Sequence, residues 1–479
     1  MSFEPLRHIR KVLVANRGEI AVRCIKACRE LGVTSVSIIT EADSTSLHAR
    51  LADEFVTLPG LDSTAYSDGE SILEICKKVG ADAIIPGYGF LSENVEFAAA
   101  ANEAGITFIG PSPESINAMG LKHEARTIAE AANVPVIPGS PLLSNVGHAL
   151  EAARELGFPL MMKATGGGGG MGLQICYNED GIERAFALVE SRAGALFKNT
   201  GVFLEKYYPL SHHIEVQIAG NGEEIVKFGE RECSLQRRHQ KVVEEAPSPF
   251  VERNPGLREK MLHAAKQYAL QLKYKSVGTV EFLVDDETAD FFFLEMNTRL
   301  QVEHGISELC YGVDLVHLML RQADYEHGGQ HGIPSYMLRS FGRRDPLGWA
   351  IEVRVYAEIP MLDFAPSPGV LQLVNWPQGE GVCVDTWVES GQCITPLYDP
   401  LVGKVIVHSL DGRAAAQQKM IVALADTVLQ GTQTNLAYLS KILESDAFIT
   451  GFTLTNTLSN LEYHACAVQV LDPGFFTTV

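Results

Sequence analysis

Short apolar runs punctuate the start of the chain at residues 11–15, 36–40, 55–58, 83–86 and 107–110. Apolar residues at helical spacing fill the gaps between them, as over 19–31 and 71–79. Strand and helix in alternation predict an α/β fold with a doubly wound parallel sheet, since parallel neighbours need a crossover that a helix supplies. Ligands of such sheets gather at the carboxyl ends of the strands, where Asn16-Arg17-Gly18 and Gly87-Tyr88-Gly89-Phe90-Leu91-Ser92 fall. A helical pattern over 120–135 leads through Pro135 and Pro138 to a second unit. That unit reads as a helix over 146–156, a strand, a glycine-rich loop, a strand, a helix to residue 197 and a strand over 201–205. Mixed strand and helix continue to about residue 300. A segment rich in Gly, His, Pro and Arg, 326–348, precedes a mostly β region over 350–408 and closing helices near 413–445. No internal repeat is visible.

The sharpest alternation runs from Glu295 to Glu303, with polar Glu295, Asn297, Arg299, Gln301 and Glu303 separated by Met296, Thr298, Leu300 and Val302. Successive side chains of an extended chain point to opposite faces, so one face gathers carboxylate, amide, guanidinium, amide and carboxylate. Residues 278–284 read as a partner strand joined through the acidic turn 285–290. That hairpin holds Glu281 beside Glu295 and Asn297, a set of hard oxygen ligands suited to Mg²⁺ carried with nucleotide phosphates. Fully extended, the segment would span roughly 26 Å at about 3.3 Å per residue. One small ligand is shorter than that, so the chain is expected to bend after Arg299 and wrap the site.

Charge and cysteine content narrow the classes. Lys+Arg 39 against Asp+Glu 59 gives a net charge of −20, which argues against nucleic acid or an anionic membrane as partner. Hydrophobic content of 46% and charged content of 20% describe an ordinary globular protein. The nine cysteines are scattered and odd in number, without a CxxC pair, which reads as reduced thiols. Cys24 and Cys28 sit four apart on a predicted helix, as small buried hydrophobes would. Neither an N-terminal apolar region nor a run of 18 apolar residues occurs, so the expectation is a cytoplasmic protein with no membrane span.

Two further stretches carry chemistry. Lys163-Ala-Thr-Gly166-Gly-Gly-Gly-Gly170-Met-Gly172 satisfies GxGxxG formally, but it runs into a strand where a dinucleotide fingerprint would open a helix. A glycine hairpin rooted in a lysine instead suits backbone N–H groups closing over phosphates. Arg237, Arg238, His239 and Lys241 concentrate positive charge between Glu230, Glu232, Glu244 and Glu245, which points to an internal anion site for phosphate or bicarbonate. His212, His213, Glu215 and His304 lack a second cluster at zinc-ligand spacing.

These pieces resemble the biotin carboxylase family of the ATP-grasp superfamily. The resemblance rests on Ala15-Asn-Arg-Gly-Glu-Ile-Ala21, Gly87 to Asn94, Phe108-Ile-Gly-Pro111, Met119-Gly-x-Lys122, Lys163 with its glycines and Glu205-Lys206. Further along it rests on residues 231–241, 295–304, Arg354, Pro366-Ser-Pro-Gly369 and Tyr398-Asp399-Pro. They run in family order over about 450 residues. The resemblance implies an N-terminal domain over 1–120 and an ATP-grasp domain over 121–335, with a mobile glycine-rich lid at about 138–206. A C-terminal mixed β/α domain would follow over 336–465, and 466–479 would begin a truncated following domain.

The same resemblance implies roles. Lys122, Lys163, Gly168, Gly169, Gly170, Glu205, Lys206, His213, Gln236, His239 and Lys241 would bind ATP. Glu281, Glu295 and Asn297 would hold Mg²⁺ (or Mn²⁺). Arg299, Gln301, Val302 through its backbone and Glu303 would bind bicarbonate, while Tyr88 and Arg354 would meet biotin. Glu303 would act as base, with Arg299, Arg354 and Lys241 completing the catalytic set. A biotin carboxyl carrier domain, a carboxyltransferase domain in the same native chain and a homodimer are the implied partners. Gly305, where the family usually has Pro, points to the urea carboxylase branch, as does Leu471-Asp-Pro-Gly474 near the chain end. Urea itself would be bound outside this sequence.

Overall fold

The computed structural model describes residues 4–164, 173–196, 201–238, 240–342, 345–464, 468–472 and 475–478. At its N-terminal end β1 (Lys11–Val14), β2 (Thr34–Ile39), β3 (Glu54–Thr57), β4 (Ala83–Ile85) and β5 (Thr107–Phe108) form one sheet. Its order is β3-β2-β1-β4-β5 and every neighbouring pair is parallel, as the alternation predicts. Helix α1 (Gly18–Glu30) leaves β1 and buries Ile20, Cys24, Ile25 and Cys28. Asn16 Nδ2 donates to the carbonyls of Pro86 at 2.6 Å and Tyr88 at 2.7 Å, which ties the loops after β1 and β4 together. Gly87 lies at φ +65°, and a Cβ there would fall 2.6 Å from Ile20 Cγ1, so the loop can close over α1 only with glycine.

A second, small sheet contains β6 (Leu160–Ala164), β7 (Leu173–Cys176) and β8 (Val202–Lys206) in the order β7-β6-β8, all antiparallel. Helices Val146–Leu156 and Glu179–Leu196 accompany it, with Ala149, Ala153, Ile182, Phe186 and Leu204 in its core. The glycines at 168–170 lie outside the described residues.

The largest sheet has eight strands. β9 (Ser211–Asn221), β10 (Ile225–Arg237), β11 (Gln240–Ala246), β12 (Lys275–Asp285), β13 (Phe291–Asn297) and β14 (Trp349–Tyr356) are joined by strands Leu401–Ser409 and Val382–Thr386. The order is β13-β12-β9-β10-β11-β14, then Leu401–Ser409, then Val382–Thr386. The sheet crosses residue 335 without a break, since β11 pairs with β14 and sets Glu244 opposite Glu352. Strand pairing between segments about a hundred residues apart leaves no trace in local periodicity. Among the described residues no helix is long and apolar enough to cross a membrane.

The continuous strand expected over 295–303 is shorter. β13 ends at Asn297, and Glu303 caps the helix His304–Tyr311. The bend therefore begins before Arg299. Thr298 donates its N–H to Glu93 Oε1 at 3.0 Å, and Leu300 turns inward to become fully buried. Burying that leucine is worth about 1.5–3 kcal/mol, against about 0.5–1.5 kcal/mol for each ladder hydrogen bond forgone. The alternating polar residues thus meet by wrapping, and the flat face is only three residues long.

Candidate active site

The registers of four adjacent strands set up the site. Arg231 on β10 pairs with Glu215 on β9, Glu215 pairs with Glu281 on β12, and Glu281 pairs with Glu295 on β13. Directly opposed residues of antiparallel strands share a face, so a row of one guanidinium and three carboxylates crosses the sheet. The expected juxtaposition of Glu281, Glu295 and Asn297 is present, with Asn297 Nδ2 donating to Glu281 Oε1 at 2.8 Å. Gln301 Nε2 donates to the same oxygen at 2.7 Å, and His213 Nε2 lies 2.9 Å from Glu281 Oε2. His212, one residue earlier, faces the other way and stands 2.9 Å from Asp286 Oδ1.

Lys241 on β11 closes the row from above. Its Nζ lies 2.5 Å from Glu215 Oε2, 3.1 Å from Glu281 Oε1 and 2.6 Å from Glu303 Oε1. Arg354 on β14 takes the other oxygen, with Nη2 at 2.9 Å from Glu303 Oε2, and its Nε donates to Glu244 Oε1 at 2.6 Å. Glu303 is thereby clasped between two cations while 1% exposed. Arg231, fully buried, spends its donors on Glu215, Gln217, Ser307, Thr279 and Gln301, the last at 3.0 Å. Arg299 is held at Nε by Glu93 Oε2 at 2.9 Å and at Nη2 by Asn297 Oδ1 at 2.8 Å.

Charge balance decides the ionisation states. Burial would push the Glu303 carboxyl up, but Lys241, Arg354 and Arg231 outweigh it and hold the group well below the usual carboxylate range. Glu281 is likewise held low against burial by Lys241 and His213. Burial would pull Lys241 down, yet Glu215, Glu281 and Glu303 keep it well above its ordinary value. Acids outnumber cations here, so others carry the protons: burial pushes Glu244 up to about 7 and raises Glu215 and Glu352 as well. A divalent cation beside Glu281 would relieve that surplus. Glu281, Glu295 and Asn297 offer hard oxygen donors that fit Mg²⁺.

A second group lies at the small sheet. Lys163 forms an ion pair with Glu205, and Arg126 Nη1 stands 3.4 Å from Glu205 Oε1. Lys206 Nζ donates to the carbonyls of Gly157 and Phe158, each at 3.0 Å. Gln236 Nε2 donates to the Cys233 carbonyl at 2.9 Å. Lys122 opens the helix Lys122–Ala131. Gly168, Gly169, Gly170 and His239 fall outside the described residues. Tyr88 donates its hydroxyl to Glu19, and the Val302 carbonyl accepts from Lys404.

The clustered cations of 237–241 do not converge. Arg237 Nη2 pairs with Glu358 Oε1 at 2.9 Å and its guanidinium lies 3.8 Å over the Phe364 ring, while Arg238 pairs with Asp363. Only Lys241, of the described cations there, faces the carboxylates, because the turn after β10 splits the run between two directions. Glu93, Arg231 and Lys404 were given no role in the sequence reading, Glu244 appeared only as one of the carboxylates flanking the cationic run, and Glu215 only among residues lacking zinc-ligand spacing. The available signal was alternation within 213–217 and 230–245, which marks faces but not which strand lies alongside.

Family models match residues 8–116 as the biotin carboxylase N-terminal domain, 122–327 as the carbamoyl-phosphate synthase L chain ATP binding domain, and 352–460 as the biotin carboxylase C-terminal domain. A biotin carboxylase of Halalkalibacterium halodurans is 46% identical over 94% of this chain and 97% of its own length. Fold and sequence agree: the chain belongs to the biotin carboxylase family. A putative urea carboxylase of Emericella nidulans is 53% identical over 98% of this chain, which spans 38% of that protein's length. The solved biotin carboxylase of Campylobacter jejuni superposes with a TM-score of 0.86 at 36% identity, covering 95% of this chain and 99% of that one.

Proposed function

We propose that the chain is an ATP-dependent carbon–nitrogen ligase that carboxylates biotin borne on a carrier domain, with bicarbonate as the carbon source. The observation that carries this reading is Glu303, ionised and clasped between Lys241 and Arg354 at the edge of the oxygen-rich row. Lys122, Lys163, Glu205, Lys206, His213, Gln236, His239, Lys241 and the glycines 168–170 take the nucleotide. Glu281, Glu295 and Asn297 would hold Mg²⁺ (or Mn²⁺), which when bound would supply positive charge to neutralise the transferring phosphoryl group. Arg299, Gln301 and the Val302 backbone orient bicarbonate, and Glu303 accepts its proton. A bicarbonate oxygen then bonds to the γ-phosphorus as the bond to ADP breaks, giving carboxyphosphate. Its collapse releases CO₂ and phosphate, the phosphate takes the ureido proton, and the ureido nitrogen attacks CO₂. Arg354 stabilises the developing charge on the ring oxygen, and Tyr88 lines the same pocket.

Lys241 cannot serve the polyphosphate and Glu303 at full strength together. Nucleotide binding therefore draws the ammonium from the carboxylate and makes Glu303 a stronger base when bicarbonate is in place. We also place the chain at the first half-reaction of a cytoplasmic urea-carboxylating protein with carrier and carboxyltransferase domains in the same native chain, assembled as a homodimer. The 53% identity to the putative urea carboxylase and the glycine at 305 support this. The domain division proposed is 1–120, 121–335 and 336–465, the last two sharing the eight-stranded sheet. The test is phosphate release from ATP with Mg²⁺ and bicarbonate, which free biotin should stimulate. Stimulation will be modest, because free biotin lacks the binding energy of its carrier. ATP binding without any biotin effect would refute the reading.

A further inference from the structure

Lys404 lies on strand Leu401–Ser409, fully buried and outside the residues assigned to ATP, metal, bicarbonate or biotin. Its Nζ donates to the Val302 carbonyl at 2.6 Å. The same nitrogen stands 3.5 Å from Glu19 Oε1 and 3.4 Å from Asp385 Oδ2. Glu19 Oε1 in turn accepts the Tyr88 hydroxyl. A buried ammonium is costly to dehydrate and needs such partners. Burial would lower the Lys404 pKa, but Glu19, Glu352 and Asp385 outweigh it, so the amine stays charged.

On the reading proposed above, we infer that Lys404 is a positioning residue: it fixes the Val302–Glu303 peptide, and through Glu19 it ties that peptide to Tyr88. A trans peptide is planar, with C=O and N–H opposed. Holding the Val302 oxygen therefore sets the direction of the Glu303 N–H and keeps a carbonyl lone pair from facing an incoming anion. Glu303, at φ −83° and ψ 15°, leads directly into the helix His304–Tyr311, so its Cα is fixed from both sides. The sheet explains the choice of residue. Lys404 pairs across the strands with Arg354 on one side and Asp385 on the other. Two neighbouring strands thus grip one short segment at two points, Arg354 at the Glu303 carboxylate and Lys404 at the Val302 carbonyl.

Steady-state kinetics of Lys404→Met in the full chain test this. The bicarbonate KM should rise about tenfold or more, while affinity for Mg²⁺ and ADP stays within about twofold, since only one site loses its alignment. Lys404→Met combined with Asp385→Asn removes one charge of each sign. It should show the same bicarbonate defect and supplies the comparison should the single variant fail to fold. A folded variant with wild-type bicarbonate KM and turnover would overturn the inference, as would a parallel loss of nucleotide and bicarbonate affinity, the mark of general loosening. Absence of biotin-stimulated ATP cleavage in the unaltered protein would instead refute the proposed function, so the two failures are distinct.

Discussion

Glu303 has one acidic oxygen on Lys241 and the other on Arg354, and this division of one carboxylate between two cations is the chemical centre of the site. Glu303→Gln keeps the shape and removes the base. Bicarbonate-dependent ATP cleavage should then fall about 10²–10⁴-fold, the usual worth of a general base. Nucleotide affinity, measured by titration with ADP and Mg²⁺, should change by no more than about twofold, because Lys241 retains Glu215 and Glu281. A variant with near-normal turnover would remove Glu303 from the role of base. The sequence displayed part of this centre. The alternation of 295–303 singled out the side chains of Asn297, Arg299, Gln301 and Glu303, and the hairpin reading placed Glu281 beside Glu295 and Asn297. Glu93 escaped because it reaches Thr298 and Arg299 from a loop some two hundred residues earlier. Arg231 escaped for a related reason: its five hydrogen bonds go to three different elements and a loop residue, and no local pattern encodes them.

At the scale of elements, β10 must kink to bring Arg231 over β9. The register with β9 shifts between Lys227 and Glu230, and Gly229 in that interval lies at φ +69°. A Cβ at Gly229 would fall 1.8 Å from the Tyr311 hydroxyl oxygen, well inside contact distance. Gly229→Ala should therefore cost about 2–4 kcal/mol, combining left-handed strain with a core clash. Gly256→Ala is the control, since φ is +84° but nothing lies within 4 Å of its Cβ. It should cost only about 1 kcal/mol of backbone strain. Denaturant midpoints measure both, and equal losses would show that the kink does not depend on Tyr311. Bulges of this kind, like the early end of β13 at Asn297, arise from contacts with other elements. Periodicity recovered the five N-terminal strands and the helix Val146–Leu156 at its predicted limits, whereas the helix expected over 120–135 is two helices parted at Leu121. It had no means of showing where a strand would be bent.

At the scale of the whole molecule, one antiparallel sheet joins the carboxylate row to the strands that carry Arg354 and Lys404, while a loop of the N-terminal unit brings Glu93 to Thr298 and Arg299 just past the edge strand β13. The parallel N-terminal sheet was legible from alternation alone. The eight-stranded sheet was not, because its neighbours come from segments on both sides of residue 335. On the reading proposed above, the acceptor of the carboxyl group would be bound outside this sequence. Joined to the carrier and carboxyltransferase domains of the proposed urea-carboxylating protein, the chain should carboxylate urea in preference to acetyl-CoA and pyruvate. Turnover of an acyl-CoA without urea would change the acceptor and leave the biotin half-reaction intact. The central claim is that bicarbonate itself attacks ATP before biotin is carboxylated. Bicarbonate carrying heavy oxygen, supplied with ATP, Mg²⁺ and biotin, tests that claim by mass spectrometry of the products. The account predicts one heavy oxygen in each phosphate released and label in the carboxyl group of carboxybiotin. Phosphate free of label, with its new oxygen drawn from water, would contradict it.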